Sequence, residues 1–147
     1  MSEANSYAVF RANVVLVSDR VDRIENGVAV GMPDLSCCFT GHEFWLEIKS
    51  PTEPARPTTP LFGSNHKVSQ QQANWMLRQR RAGGACFFLI STDVRWLLIG
   101  GWLADDINQM TVNALIEQCI WTTTKPVKDK QQWQHLRNAL ILHSRRQ

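Results

Sequence analysis

The sequence is without several of the patterns that would settle its chemistry at once. Its four cysteines, Cys37, Cys38, Cys86 and Cys119, contain no CxxC pair, so a structural zinc site is not indicated. His42, His66, His135 and His143 fall into neither an HExxH nor a Cys/His finger spacing, which leaves a histidine metal centre unsupported. The longest apolar run, residues 86–103, is interrupted by Asp93 and Arg95, and it does not read as a membrane span. No basic stretch followed by an apolar run opens the chain, so secretion is not expected. A cytoplasmic protein is the default expectation, in the host cytoplasm if a phage encodes it. No internal repeat or low-complexity segment interrupts the 147 residues, which are enough for one domain with a core of its own.

Neither sign of charge dominates, but the signs are segregated. Through Glu53 there are eight acidic residues to four basic, and beyond it twelve basic to five acidic, for a net charge of +3. Lys67, Arg78, Arg80 and Arg81 form one basic group, and Arg145 with Arg146 ends the chain. The asymmetry suits an acidic pocket flanked by phosphate-binding surface, and equally an ordinary solvated surface.

Periodicity predicts a helix over residues 2–16, with Tyr7, Phe10 and Val14 on its apolar face and Glu3 in the first turn, where the helix dipole favours an anion. Alternation over 19–25 predicts a strand, followed by an Asn26-Gly27 turn. Two further strands flank a turn at Thr40-Gly41-His42-Glu43. Residues 51–68, with Pro51, Pro54, Pro57 and Pro60 at intervals of three, read as an extended or disordered loop. Ser69 is a good N-cap for a helix ended by Gly83-Gly84, and 86–90 and 95–100 form a strand hairpin. Helices over 102–119 and 129–143 complete the chain. Of the six tryptophans, Trp75 and Trp133 are candidates for an oligomer interface as well as for the core.

The chemistry concentrates between Gly31 and Lys49. On a strand, Trp45, Glu47 and Lys49 share one face while Phe44, Leu46 and Ile48 share the other. A hairpin would bring Asp34 beside Glu47. Phosphodiester hydrolysis needs charge neutralised on the phosphate, a nucleophile made from water, and a stabilised leaving oxygen. A hard cation such as Mg²⁺ serves all three and prefers oxygen ligands. Asp34, Glu47 and the Ile48 carbonyl are the candidate ligands, with Lys49 facing the attacking water or the phosphate. His66 and Lys67 close the proline-rich loop, and Arg78, Arg80 and Arg81 are suited to tracking phosphates.

The pattern Gly31-x-Pro33-Asp34, Trp45-x-Glu47-x-Lys49, Ser69-x-x-Gln72-x-x-Trp75 and Gly83-Gly84 resembles the PD-(D/E)XK nuclease superfamily. More narrowly, it is similar to the VRR-NUC and phage Holliday-junction-resolvase-like branch. The resemblance covers about residues 3–101 and leaves 102–147 as a C-terminal helical extension. It implies an α/β core of helix, three-stranded meander, helix and strand. It further implies Mg²⁺, with Mn²⁺ substituting, bound by Asp34 and Glu47 and assisted by Lys49. Glu3 would be the outer acidic residue, with Glu25 competing for that place, and Gln72 the helix glutamine near the lysine. The expected activity is endonucleolytic cleavage of branched DNA in recombination or repair, by a homodimer. A flap or restriction-like nuclease and an inactive binding module are the alternatives.

Overall fold

A computed structural model of the chain describes residues 2–24, 30–63 and 66–144. The sheet is built from β1 (Arg20–Arg23), β2 (Leu35–Phe39), β3 (His42–Lys49), β4 (Cys86–Ser91), β5 (Arg95–Gly100) and β6 (Trp121–Thr124). Strand order follows chain order. Every neighbouring pair is antiparallel except β3 and β4, which are parallel. Parallel neighbours need a crossover, and α2 (Gln70–Arg81) supplies it. The expected order of helix, three-stranded meander, helix and strand is present, with α1 (Glu3–Asn13) as its first element.

Both faces of the sheet are covered. Phe10 and Val14 of α1, with Trp133, Leu136 and Leu140 of α4 (Gln131–Ser144), pack on Leu35, Phe44, Leu46, Ile48, Phe87 and Leu89. On the opposite face Ala73 and Met76 of α2 and Leu115 of α3 (Val112–Gln118) pack on Phe88, Ile90, Leu97 and Ile99. β4 is buried along its whole length, which is why its sequence runs apolar without alternation. Each such buried side chain contributes about 1.5–3 kcal/mol. Burial also pushes the thiols of Cys37 and Cys86 up to about 12, so both serve as protonated packing groups.

Several boundaries differ from expectation. α1 stops at Asn13, capped by Val14, and β1 is only four residues long. The Asn26-Gly27 turn, Glu25, Arg145 and Arg146 lie outside the described residues. The β2–β3 turn is tighter than expected: Thr40 (φ 48°) and Gly41 (φ 83°) form it alone. Positive φ at both positions matches the twist of a two-residue hairpin.

The helix expected over 102–119 is replaced by two 3₁₀ turns, Gly101–Leu103 and Ile107–Gln109, before α3. Thr111 restarts the helix by accepting the Ala114 N–H on its hydroxyl at 3.2 Å. β6 was legible only as a polar connection, because a four-residue strand is too short to set a period. The extension therefore adds a strand as well as helices. Trp133 is buried between Trp96 and Trp121, which removes it as an interface residue.

The proline-rich loop is anchored along its described length, not a free flap. Glu53 pairs with Arg95 at 2.8 Å and accepts from the Thr92 hydroxyl at 2.6 Å, and its own N–H reaches Asp93. Leu61 and Phe62 are buried, and both backbone groups of Val68 bond to the Asn108 carboxamide.

α4 is fastened to α1 and β1 by one buried ion pair. Arg137 donates to Asp19 Oδ1 at 2.9 Å and to the Val14 carbonyl at 3.2 Å, and lies over the Phe39 ring. Burial works to raise the Asp19 carboxyl. The Arg137 hydrogen bond and charge, with the Leu16 N–H, outweigh it and hold Asp19 below its ordinary 3.8. A depressed carboxyl stabilises the fold above that ordinary value, and the contribution is lost as pH falls through the depressed one. Arg137→Ala, which leaves Asp19 buried and unpaired, is expected to cost about 3–5 kcal/mol in urea denaturation at neutral pH. The difference from the parent should shrink as the pH is lowered below 3.8.

Candidate active site

The β2–β3 ladder ends at Leu35 opposite Leu46. One more rung of the hydrogen-bonded kind would set residue 33 opposite Ile48. Residue 33 is proline, and it has no N–H to give the Ile48 carbonyl. The Ile48 N–H donates to Asp34 Oδ2 at 3.1 Å, and the Asp34 N–H donates to Glu47 Oε1 at 3.2 Å. The two acidic residues are thus laced together where the ladder parts.

Glu47 and Lys49 face α2 and are almost wholly buried, 4% and 8% exposed. Their polar atoms find partners there. Gln72 donates from Nε2 to Glu47 Oε2 at 3.0 Å, Lys49 Nζ lies 3.7 Å from the same oxygen, and 3.5 Å separates Lys49 Nζ from Gln72 Oε1. Trp75, one turn further along α2, packs edge-on against Trp45 with ring centres 5.1 Å apart. Both tryptophans remain half-buried.

Gly31 allows this closeness. With φ at +84° it occupies backbone space that other residues rarely adopt, and a Cβ there would lie 2.3 Å from the Gln71 carbonyl oxygen. The Gly-x-Pro-Asp stretch therefore sets how near the start of α2 comes to Asp34.

α1 closes another side. Ser6 and Ser50, both buried, share a hydrogen bond of 2.8 Å between hydroxyls, tying the first turn of α1 to the end of β3. Glu3, one turn before Ser6, lines a small cavity of about 40 Å³ with Tyr7, Arg23, Asp34, Leu35 and Ile48. Burial, followed by the nearby Asp34 charge, pushes Glu47 up to about 8, against the lowering pull of Lys49 and of the Asp34 N–H. Glu3 adds to the upward push.

This donor set suits a hard divalent cation. Two carboxylates and a carbonyl denied its ladder partner are oxygen ligands, and a buried carboxylate beside another is the environment a cation would relieve. Among the described residues no three His, Cys, Asp or Glu side chains form a metal-holding group.

No family model matches the sequence, and no curated protein does. Among solved structures, the chain superposes on Hjc, a Holliday junction resolvase from the archaeal hyperthermophile Archaeoglobus fulgidus. The TM-score is 0.51, with 12% identity, over 78% of this chain and 90% of that one. The chain shares the fold of that protein.

On this fold, Asp34, Glu47, Ile48, Lys49 and Gln72 come together, and Glu3 stands at the rim. The other candidates lie apart. His66 is half-buried and Lys67 exposed just before α2, and Arg78, Arg80 and Arg81 are exposed in its last turn, with Arg80 over the Trp102 ring at 5.6 Å. Glu25 lies outside the described residues. Sequence reading missed the Ser6–Ser50 pair, which no local pattern announces across 44 residues. It also missed Tyr7 and Arg23 as cavity walls, although Tyr7 lies one turn from Glu3 on the same helical face.

A raised carboxyl means that the folded chain holds a proton the unfolded chain has already released. The resulting stability is fully present below the ordinary 4.5 of Glu47 and is lost as pH rises through about 8. In EDTA the melting temperature is expected to fall across that interval, and Glu47→Gln should remove most of the slope. Gly31→Ala is expected to cost about 1–3 kcal/mol by forcing α2 outward, read as a lowered urea midpoint.

Proposed function

We propose that the chain is a divalent-metal-dependent endonuclease that hydrolyses DNA phosphodiester bonds, structure-selective for branched DNA, as in the VRR-NUC and phage resolvase-like branch of PD-(D/E)XK nucleases. The observation that carries the proposal is the meeting of Asp34, Glu47, Lys49 and Gln72 where β2 and β3 part, on a resolvase fold. Either the fold or the cluster alone would be weaker support.

In this reading Asp34, Glu47 and the Ile48 carbonyl hold Mg²⁺ or Mn²⁺. When bound, the ion supplies charge neutralisation on the phosphate and lowers the pKa of a water. Lys49, 3.7 Å from Glu47, would stabilise the oxygen that becomes negative during attack. Gln72 at Oε2 and the Asp34 N–H at Oε1 together fix how the Glu47 carboxylate faces the ion site. Burial of Glu47 and Lys49 excludes bulk water, which strengthens each of these interactions.

His66, Lys67, Arg78, Arg80 and Arg81 would steer the DNA backbone. At 1.5 Å per residue, Arg80 and Arg81 stand roughly 12–14 Å along α2 from Gln72, about four nucleotide steps of duplex. Resolution of a four-way junction needs two symmetric cuts, so the active species would be a homodimer.

Wild-type protein is expected to cut a labelled four-way junction with Mg²⁺ or Mn²⁺ in preference to linear duplex, and not at all in EDTA. Asp34→Ala, Glu47→Ala and Lys49→Ala should each lower the rate by at least about 10²–10³-fold. Arg81→Ala should weaken binding equally across sequences and reduce the salt slope by about one. Cutting in EDTA, or undiminished cutting by Asp34→Ala, would overturn the proposal, and a monomer by solution mass would remove the resolvase assignment within it.

A further inference from the structure

Gln72 serves two structures at once. As the third residue of α2 it completes a capping box: its N–H donates to Ser69 Oγ at 3.1 Å, and its Oε1 accepts the Ser69 N–H at 3.0 Å. The same carboxamide holds the site. Its Nε2 donates to Glu47 Oε2 at 3.0 Å, and its Oε1 faces Lys49 Nζ at 3.5 Å.

The oxygen of Gln72 therefore meets two donors, and its nitrogen meets an acceptor that cannot donate when ionised. Turned over, the carboxamide would set Nε2 against the Ser69 N–H and the Lys49 ammonium, and Oε1 against the Glu47 carboxylate. With Glu47 ionised, all three contacts would be lost together; with Glu47 protonated, those to Ser69 and Lys49 still would. A backbone N–H is always a donor, so while the Ser69 hydroxyl keeps the first turn in register, the Ser69 N–H orients the carboxamide whatever the protonation of any side chain. The Ser69 hydroxyl, bonded to the Gln72 N–H, holds the first turn in the register that keeps this geometry. The Gly31 contact with the Gln71 carbonyl fixes the same turn from the other side.

We infer that Ser69 is a positioning residue of this site: by closing the capping box it fixes the face that the Gln72 carboxamide presents to Glu47 and Lys49. The geometric part of the inference stands on these contacts, and its kinetic consequence rests on the nuclease reading above. A helix cap that acted on stability alone would have no bearing on the orientation of Gln72 or on metal affinity.

The test uses the full chain with Ser69→Ala, Ser69→Thr and Gln72→Glu. ¹⁵N-labelled protein reports the Gln72 side-chain amide, calorimetry reports Mg²⁺ binding, and junction cleavage reports kcat and KM. In Ser69→Ala the Gln72 amide signals are expected to move towards free-glutamine positions. The half-saturating Mg²⁺ concentration should rise about tenfold, and kcat should fall about tenfold with KM little changed. Ser69→Thr, which keeps the capping hydroxyl, should restore all three readouts to within about twofold.

Gln72→Glu keeps the capping-box acceptor but replaces the donor to Glu47 by a second carboxylate, so its Mg²⁺ midpoint should shift even with Ser69 in place. Thr111→Ala, which removes the cap of α3, is the control and should leave the Gln72 amide and the Mg²⁺ midpoint unchanged. If Ser69→Ala fails to fold, Ser69→Gly is read in its place, because glycine is tolerated at an N-cap. Unchanged Gln72 signals and Mg²⁺ midpoint in Ser69→Ala, or effects no larger than those of Thr111→Ala, would overturn the inference. Wild-type protein that neither binds Mg²⁺ nor cuts DNA would defeat the nuclease reading instead, while the amide signals would still decide the role of Ser69.

Discussion

A carboxylate with 4% of its surface exposed, held beside a second carboxylate, is the constraint around which this molecule is arranged. Such a group is costly to bury unless it is partnered, and each partner of Glu47 comes from a different part of the chain. The Asp34 N–H reaches it from the end of β2, Lys49 from its own strand, and Gln72 from the crossover helix. The parallel pairing of β3 with β4 makes the crossover necessary, and the crossover is what brings Gln72 over the strand. Gly31 and Pro33 then act through what they lack. One has no side chain to hold α2 away, and the other has no N–H to occupy the Ile48 carbonyl.

The rest of the fold keeps that arrangement stiff. α1 is joined to the end of β3 by the Ser6–Ser50 hydrogen bond and to α4 through the Arg137 contacts with Val14 and Asp19. Glu3 consequently stands at the rim of the Asp34 cavity on a helix fixed at both ends. On the other side of the sheet, the Glu53–Arg95 pair and the burial of Leu61 and Phe62 hold the proline-rich segment against the body. Site geometry set by packed elements on both faces of a sheet is better suited to oriented chemistry than to a surface that reshapes around each partner.

Much of this was legible in the residues themselves. The period-two pattern at Trp45, Glu47 and Lys49 assigned their common face, and Ser69 as an N-cap marked the start of α2. The apolar run from Cys86 identified a strand. The failures have equally local causes. Residues 102–119 have helical composition, yet the chain first buries Leu103 and Ile107 through two 3₁₀ turns, and only Thr111 caps a true helix. Trp121–Thr124 is too short to display a period. The spacing of the four prolines suggested a free extended loop, whereas tethers from Arg95, Thr92 and Asn108, far off in sequence, hold it down.

The sequence by itself determined the elements of the core and the chemical types gathered in the site, because strand alternation, helix capping and the Gly-x-Pro-Asp signal act over a few residues. Only the tertiary structure decided that Glu47 and Lys49 are buried rather than solvated, that Glu3 reaches the Asp34 cavity, and that Gln72 is at once cap and clamp. Those outcomes depend on the closeness of α1 and α2 to the sheet. That closeness is set by the packing of residues 20 to more than 100 positions apart, which no local pattern in a single chain can express.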